Sequence, residues 1–368
     1  MFRSLEDRMN FMLKQREEAD MLRKLPREND LVDFCSNDYL GLAKTKQNPS
    51  NPLGAGSTGS RLISGNSSYF ESVEEKIAAF HKAESALVFS SGYLANVGLV
   101  SSISDRHDTI IYDELIHASM RDGARLSLAE SYSFRHNNVN DLARKLRNCE
   151  GNVIVLVEAV YSMDGDQAPL EQIVEVCEKY NARLVVDEAH SNGLFGPKGE
   201  GLVCALGLQD KVFARVMTFG KALGRSGAAV VGSKLLHDYL LNFCRPFIFT
   251  TAISSDELFQ IESIYASLSE QNEKRKTLFD LVTKFTSAFE GNPALIKASG
   301  PIQCVLTPGN AQAKSVAKKL QEAGFDVKAI LSPTVKSGQE RIRICLHAFN
   351  SVEQIDQLLV ALKEILPS

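Results

Sequence analysis

The chain has 368 residues, 44% hydrophobic and 23% charged, which is ordinary for a globular protein and long enough for more than one packed unit. A formal net charge of −4 excludes a global basic field for nucleic acid or acidic membranes. Seven scattered cysteines contain no C-x-x-C pair, which excludes a recognisable disulfide frame or zinc knuckle and suits reduced thiols in the cytoplasm.

The first residues, MFRSLEDRMNFMLKQREE, are too charged for a secretory leader, and no long accessory domain is expected ahead of them. No apolar run reaches the roughly 18 residues of a membrane span. Leu5, Met9, Met12 and Leu13 recur at helical spacing, so residues 2–25 read as an amphipathic helix. A short strand is expected over 31–35, running into Ser36-Asn37-Asp38-Tyr39-Leu40-Gly41, and 44–52 is loop-like. Gly54-Ala-Gly56-Ser-Thr-Gly59 spells G-x-G-x-x-G, but a dinucleotide fingerprint needs a strand immediately before it, and a polar stretch stands there instead. The segment reads as a backbone-rich loop with Arg61 at its end. A helix over 68–82 follows.

From Ala86 to Gly232 strand and helix patterns alternate. Strands are expected at 86–90, 109–113, 153–157, 184–186, 212–217 and 228–231, with a helix at 170–180. Runs of Val, Ile and Leu without alternation, separated by helices, imply a mainly parallel sheet covered on both faces. Residues 258–289 read as one long helical stretch. Beyond Gly291-Asn292-Pro293 the pattern becomes α+β, with strands at 302–306, 325–330 and 342–346 and helices at 311–323 and 352–366. The expected organisation is an N-terminal segment (1–50), a large α/β domain (51–257), a connecting helix (258–290) and a small domain (291–368).

Two of the apolar runs end in chemistry. Arg183-Leu-Val-Val-Asp187 ends in an acid with His190 three residues on, and Val212–Met217 leads to Thr218 and then Lys221. In an open α/β sheet ligands bind outside the carboxyl ends of the strands, so these four side chains are expected to converge. A lysine that forms a Schiff base with an aldehyde, and an acid that keeps a pyridinium nitrogen protonated, are what a pyridoxal 5′-phosphate enzyme needs. The Gly and Ala residues flanking Lys221 leave room for a cofactor. Ser91-Gly92-Tyr93 opens a helix, where the N–H groups of Gly92 and Tyr93 suit a phosphate, helped by the Thr218 hydroxyl. The bland alternatives are a surface lysine and a strand-end carboxylate that caps a helix. Asp187-Glu-Ala-His190 also spells a helicase Walker B box, but the chain has no G-x-x-x-x-G-K-[ST] loop to accompany it. No metal-ligand spacing is present, so no metal site is expected.

Together these residues resemble the α-oxoamine synthases, pyridoxal phosphate enzymes of the fold-type I aminotransferase class. The resemblance covers essentially the whole chain. It is carried by Phe34-Cys-Ser-Asn-Asp-Tyr-Leu-Gly-Leu42, Gly54-Ala-Gly-Ser-Thr-Gly-Ser-Arg-Leu-Ile-Ser-Gly65, His117-Ala-Ser119, Ser162-Met-Asp-Gly165, Asp187-Glu-Ala-His190, Thr218-Phe-Gly-Lys221 and Arg341-Ile-Arg343, in that order. It implies an α/β, fold-type I aminotransferase-like architecture, a mainly parallel central sheet covered by helices with a smaller C-terminal α+β domain. It also implies an acyltransferase that condenses an amino acid with an acyl-CoA or acyl-carrier-protein thioester and releases CO2. The glycine-rich loop is most like that of the members joining L-alanine to a pimeloyl thioester in biotin synthesis, so these substrates are expected.

The residue roles follow from the same resemblance. Lys221, Asp187, His117 and His190 are the expected catalytic set. Gly92, Tyr93, Ser162 and Thr218 join them around pyridoxal 5′-phosphate, with His117 stacked on the ring and His190 and Ser162 at its phenolic oxygen. Asn37, His117, Thr334 and Arg343 are expected at the substrates, Arg343 holding the amino-acid carboxylate. Arg341 is expected on the other side of its strand, and Arg23 is a weaker candidate for the acyl end. His81, His107, His136, His237 and His347 are read as structural. A homodimer with the site at its interface is expected, with no nucleic-acid partner. Between Leu42 and Gly54 the chain has only a short polar stretch where members of the family carry a helix. Glycine C-acetyltransferase, serine palmitoyltransferase and 5-aminolevulinate synthase share the machinery and stand as alternatives. An inactive partner or binding subunit is a further alternative, although it need not retain Lys221.

Overall fold

The computed structural model describes residues 4–19, 21–23, 25, 29–45 and 54–366. The shortened stretch expected between Leu42 and Gly54 falls mostly on residues 46–53, outside the described residues. The chain divides into two compact units. One comprises Met1–Ser36, Met163–Gly165 and Phe279–Ser368; the other comprises Asn37–Ser162 and Asp166–Leu278.

The larger unit is built on a seven-stranded sheet. Its spatial order is Ser85–Phe89, Ala228–Gly232, Ala214–Thr218, Arg183–Asp187, Val153–Glu158, Thr109–Asp113 and Glu130–Phe134. Ala228–Gly232 runs antiparallel to both its neighbours, and the other pairs are parallel. The interior strand Val153–Glu158 is buried at every position, which explains its uninterrupted Val-Ile-Val-Leu-Val run. Helices cover the sheet, and several begin at hydroxyl caps. Ser67 accepts from the Phe70 N–H at 3.3 Å, and Ser91 accepts from the Leu94 N–H at 3.2 Å.

The edge strand Glu130–Phe134 has no counterpart in the sequence expectations. Four of its five residues are exposed, so its Glu-Ser-Tyr-Ser-Phe spelling carries no apolar run to reveal it. The expected long helix over 258–289 is two helices, Ser255–Leu268 and Asn272–Ala288.

In the smaller unit an antiparallel sheet runs Lys328–Ile330, Arg341–Cys345, Ile302–Leu306 and Leu295–Ile296. The expected strand over 325–330 is broken into two pieces serving different sheets, because Phe325–Asp326 pairs in parallel with Val32–Asp33. The helix Val352–Ile365 opens on a capping box between Ser351 and Gln354. The N-terminal helix Leu5–Glu18 has no buried residue.

Two buried ionic contacts tie loops to the large sheet. Arg61, at the end of the glycine-rich loop, makes a bidentate pair with Glu74, both bonds at 2.9 Å, with its guanidinium 4.2 Å from the centre of the Phe70 ring. Glu74 also accepts the Val88 N–H at 2.8 Å, so the loop is bonded through it to the strand Ser85–Phe89. Both side chains are below 10% exposed (9% and 7%). Replacing Arg61 by Ala leaves an uncompensated buried carboxylate, with an expected loss of about 3–5 kcal/mol in urea unfolding. A loss near zero would show the pair contributes nothing.

The second contact is His136, whose Nδ1 lies 2.9 Å from Asp113 and whose Nε2 lies 2.8 Å from Asp166. Both ring nitrogens face carboxylates, so both donate and the ring is an imidazolium. Burial opposes that charge, but the hydrogen bonds and charges of Asp113 and Asp166 prevail and raise the pKa to about 9. A raised folded-state pKa stabilises the fold fully below the unfolded value near 6.5, and this contribution fades as pH climbs through about 9. The stability deficit of His136→Asn relative to the unsubstituted chain is therefore largest below pH ~6.5 and shrinks above pH ~9, checked by thermal melts across that range.

Candidate functional site

The parallel strands of the large unit end together, and a cavity of about 410 Å³ lies among the residues that follow them. Asp187 closes the strand Arg183–Asp187 and is 4% exposed. Its Oδ1 accepts the Ala189 N–H at 2.9 Å, and its Oδ2 accepts Nδ2 of Asn96 at 2.7 Å. Asn96 lies one turn into the helix Gly92–Ile103 and also donates to Ser119 Oγ at 3.1 Å. Ser119 Oγ is 2.7 Å from Nδ1 of His117, and the Ser119 N–H donates to the same nitrogen at 3.3 Å. Because Nδ1 accepts, the neutral His117 ring carries its proton on Nε2. A polar chain thus runs from the buried carboxylate to the exposed imidazole on the same cavity wall.

His190, the residue after Ala189, is 5% exposed, and its Nδ1 lies 2.7 Å from the hydroxyl of the fully buried Tyr39. That hydroxyl donates to Asn37 Oδ1 at 3.0 Å, so its oxygen accepts the His190 Nδ1–H. The Ser36-Asn-Asp-Tyr-Leu-Gly41 motif is therefore wired to the His190 ring.

Thr218 closes the strand Ala214–Thr218 and is 9% exposed. Lys221 follows in a turn closed by the Gly224 N–H on its carbonyl at 3.0 Å, and it is half-buried on the cavity wall. Gly92 begins its helix against Thr218, where a Cβ would meet Thr218 Cγ2 at 2.6 Å, so a side chain is excluded. The Ser91 hydroxyl serves the Leu94 N–H, leaving the first N–H groups of a 12-residue helix directed at the cavity end. Tyr93 is half-exposed, and its hydroxyl bonds Asp122.

The structure thus brings Gly92, Tyr93, His117, Asp187, His190, Thr218 and Lys221 to one cavity. Ser162 lies four residues past the strand Val153–Glu158, half-buried and off the cavity lining. Thr334 and Arg343 belong to the smaller unit. Thr334 is exposed in a turn, its N–H donating to the Leu331 carbonyl at 2.9 Å. Arg343 is half-buried in the strand Arg341–Cys345, opposite Cys304 and Lys328. The expectation that Arg341 faces the other way is wrong, because residues two apart on a strand share a face. Arg341 is 4% exposed and pairs with Asp164. Arg23 is exposed.

Four residues of this arrangement escape the sequence expectations: Tyr39, Asn96, Ser119 and Glu158. Glu158 had a visible signal, an acid ending an apolar strand as Asp187 does. Asn96 had a weaker one, a polar residue inside the apolar Leu94-Ala-Asn-Val97 stretch.

The arrangement offers an anion site at a helix start, a buried acid and a lysine around one cavity. These fit the phosphate, ring nitrogen and aldehyde of pyridoxal phosphate, and Gly92 leaves the backbone open where a phosphate would approach. The model of the family described as aminotransferase class I and II matches residues 29–362. The chain is 39% identical to an 8-amino-7-oxononanoate synthase of Emericella nidulans, covering 96% of this chain and 94% of that protein. It is 37% identical to one of Lysinibacillus sphaericus, covering 98% of each. Among solved structures, serine palmitoyltransferase of Sphingomonas wittichii superposes with a TM-score of 0.90 at 29% identity over 98% of each chain. The 8-amino-7-oxononanoate synthase of Francisella tularensis superposes with a TM-score of 0.79 at 27% identity, over 92% of this chain and 98% of that one. A match of this extent, on a cavity that joins a strand-end acid to a lysine, establishes that the chain belongs to the aminotransferase class I and II family and, within it, to the α-oxoamine synthases.

Proposed function

We infer that this chain catalyses the decarboxylative condensation of L-alanine with a pimeloyl thioester to give 8-amino-7-oxononanoate, a step of biotin synthesis. It is an acyltransferase whose cofactor is pyridoxal 5′-phosphate. The observation that carries the reading is the pairing of Lys221 with the buried Asp187 in one cavity of a chain 37–39% identical to 8-amino-7-oxononanoate synthases over nearly its whole length.

When bound, the pyridoxal ring supplies an electron sink for a carbanion at the amino acid's Cα. Lys221 would hold the cofactor's aldehyde carbon, and its amine, when free, would serve as the general base for the Cα proton. Asp187, which accepts two hydrogen bonds, would hold a proton on the ring nitrogen. His117 covers one face of the ring, with its orientation set by Ser119. His190 and Ser162 serve the phenolic oxygen, and the Gly92 and Tyr93 N–H groups and the Thr218 hydroxyl serve the phosphate. Asn37, Thr334 and Arg343 are assigned to the substrates on the family resemblance, Arg343 through its planar fork for a carboxylate. A homodimer in which a second copy completes the site belongs to the same proposal. The apolar side chains of Leu235, Tyr239 and Phe243, exposed on the helix Lys234–Phe243, support it. No described helix is long and apolar enough to cross a membrane, and we assign the enzyme to the cytoplasm.

Other family members remain the competing reading, favoured by the TM-score of 0.90 to serine palmitoyltransferase. The two readings differ in pocket size. Thiol release measured across alanine, glycine and serine against pimeloyl-, acetyl-, succinyl- and palmitoyl-CoA is expected to peak at alanine with the pimeloyl thioester. A pocket that discriminates one methyl group gives a preference of about 10–200-fold over glycine. A peak at serine with palmitoyl-CoA would replace the substrate assignment and keep the chemistry. Lys221→Ala is expected to lower condensation by roughly 10²–10⁴-fold and to abolish the visible absorption band of lysine-linked cofactor. Undiminished turnover in that variant would reject the mechanism.

A further inference from the structure

Glu158 has no part in the chemistry above, yet it sits on the wall of the same cavity. It ends the fully buried strand Val153–Glu158, is 3% exposed, and stands opposite Asp187 in the parallel register of the two strands. Its carboxyl accepts the backbone N–H groups of His117 and Ser162. Its Oε1 has no hydrogen-bond partner among the described residues.

We propose that Glu158 is a neutral carboxylic acid built into the cofactor cavity, where it positions the loops bearing His117 and Ser162 and presents an O–H donor beside Asp187. This deepens the pyridoxal phosphate reading of the cavity and rests on it. The charged group facing Glu158 across the strand pair is Asp187; Asp113 ends the other neighbouring strand one position short of the Glu158 register and is paired with His136, and Lys221 and His190 line the same cavity. Burial first, and then the charge of Asp187, push the Glu158 carboxyl well above the usual carboxylate range, against the two N–H groups that lower it. Two adjacent buried carboxylates cannot both ionise cheaply, and donors are unevenly shared between them: a side-chain amide and a backbone amide donate to Asp187, whereas Glu158 Oε1 has no partner among the described residues.

The protonated acid therefore does three things. Its carbonyl side accepts the two backbone N–H groups that an apolar residue would strand. Its hydroxyl side offers a donor to whatever occupies the cavity. Its neutrality leaves Asp187 as the single negative charge available to the ring nitrogen. As a positioning residue it acts on binding and on the pH range of binding, rather than on proton transfer.

The test compares Glu158→Gln and Glu158→Ala with the unsubstituted holoenzyme. At neutral pH the infrared spectrum of the unsubstituted protein minus that of Glu158→Gln is expected to show the C=O stretch of a protonated carboxyl, with and without cofactor. Glu158→Ala is expected to weaken pyridoxal phosphate binding about tenfold, the scale of a lost buried hydrogen bond. Glu158→Gln, which keeps the acceptor and is neutral at every pH, is expected to recover most of that loss. The alkaline decline of cofactor affinity in the unsubstituted enzyme is expected to disappear in Glu158→Gln. Absence of the carboxyl band, or a Gln variant as impaired as the Ala variant, would show that an ionised carboxylate is needed and overturn the proposal. Failure of the pyridoxal reading has a different signature: the unsubstituted protein takes up no pyridoxal phosphate while the band of Glu158 is still present.

Discussion

The hydrogen bond from Asn96 to Asp187 is the constraint around which the site is built. A carboxylate buried at the end of a parallel strand is costly unless donors surround it. The Ala189 N–H supplies one and the Asn96 amide the other. Asn96 then passes its second N–H to Ser119, and Ser119 fixes the tautomer of His117. One acid thereby organises the helix at the anion site, the turn after Asp187 and the His117 imidazole on the same cavity wall. Each of these lies on a different element, so the acid acts as a fastener as well as a reagent.

Around this centre the fold places loops by ionic contacts rather than by apolar burial alone. Arg61 ties the glycine-rich loop to Glu74 and, through it, to the strand Ser85–Phe89. His136 joins Asp113, four residues before His117, to Asp166, four residues after Ser162. Loops at the carboxyl end of a sheet have little apolar surface to bury, so charge-assisted hydrogen bonds hold them in place. The same arrangement makes the geometry of the site sensitive to pH on the alkaline side, where an imidazolium and a protonated acid both lose their protons.

The strands Arg183–Asp187 and Ala214–Thr218 show how a parallel sheet concentrates chemistry. Each is a short apolar run with one functional residue at its carboxyl end, and the register sets Asp187 opposite Val216, two residues before Thr218. Glu158 follows the same rule on the strand between Thr109–Asp113 and Arg183–Asp187. Its role differs because a carboxylate is already present next door. Two similar local spellings, an acid after an apolar run, therefore take different surroundings from their neighbours alone, donors converging on Asp187 while Glu158 keeps an unpartnered oxygen among the described residues.

The amino-acid sequence by itself determined the alternation of strands and helices, the parallel core, the order of the motifs and the acid, lysine and glycine turn at strand and helix ends. These are local signals, carried by apolar runs, caps and turn residues within a few positions of one another. Local signals did not reveal the polar edge strand Glu130–Phe134, the break within 258–289 or the split at 325–330, where pairing partners and turns outweigh composition. Only the tertiary structure decided that Asn96 reaches Asp187 across 91 positions and that Tyr39 reaches His190 across 151. It also decided that Glu158 stands beside Asp187 and that His136, spelled like any other surface histidine, bridges two acids. Strand order and side-chain hydrogen bonds depend on which distant segments become neighbours, and no periodicity within a segment records that choice.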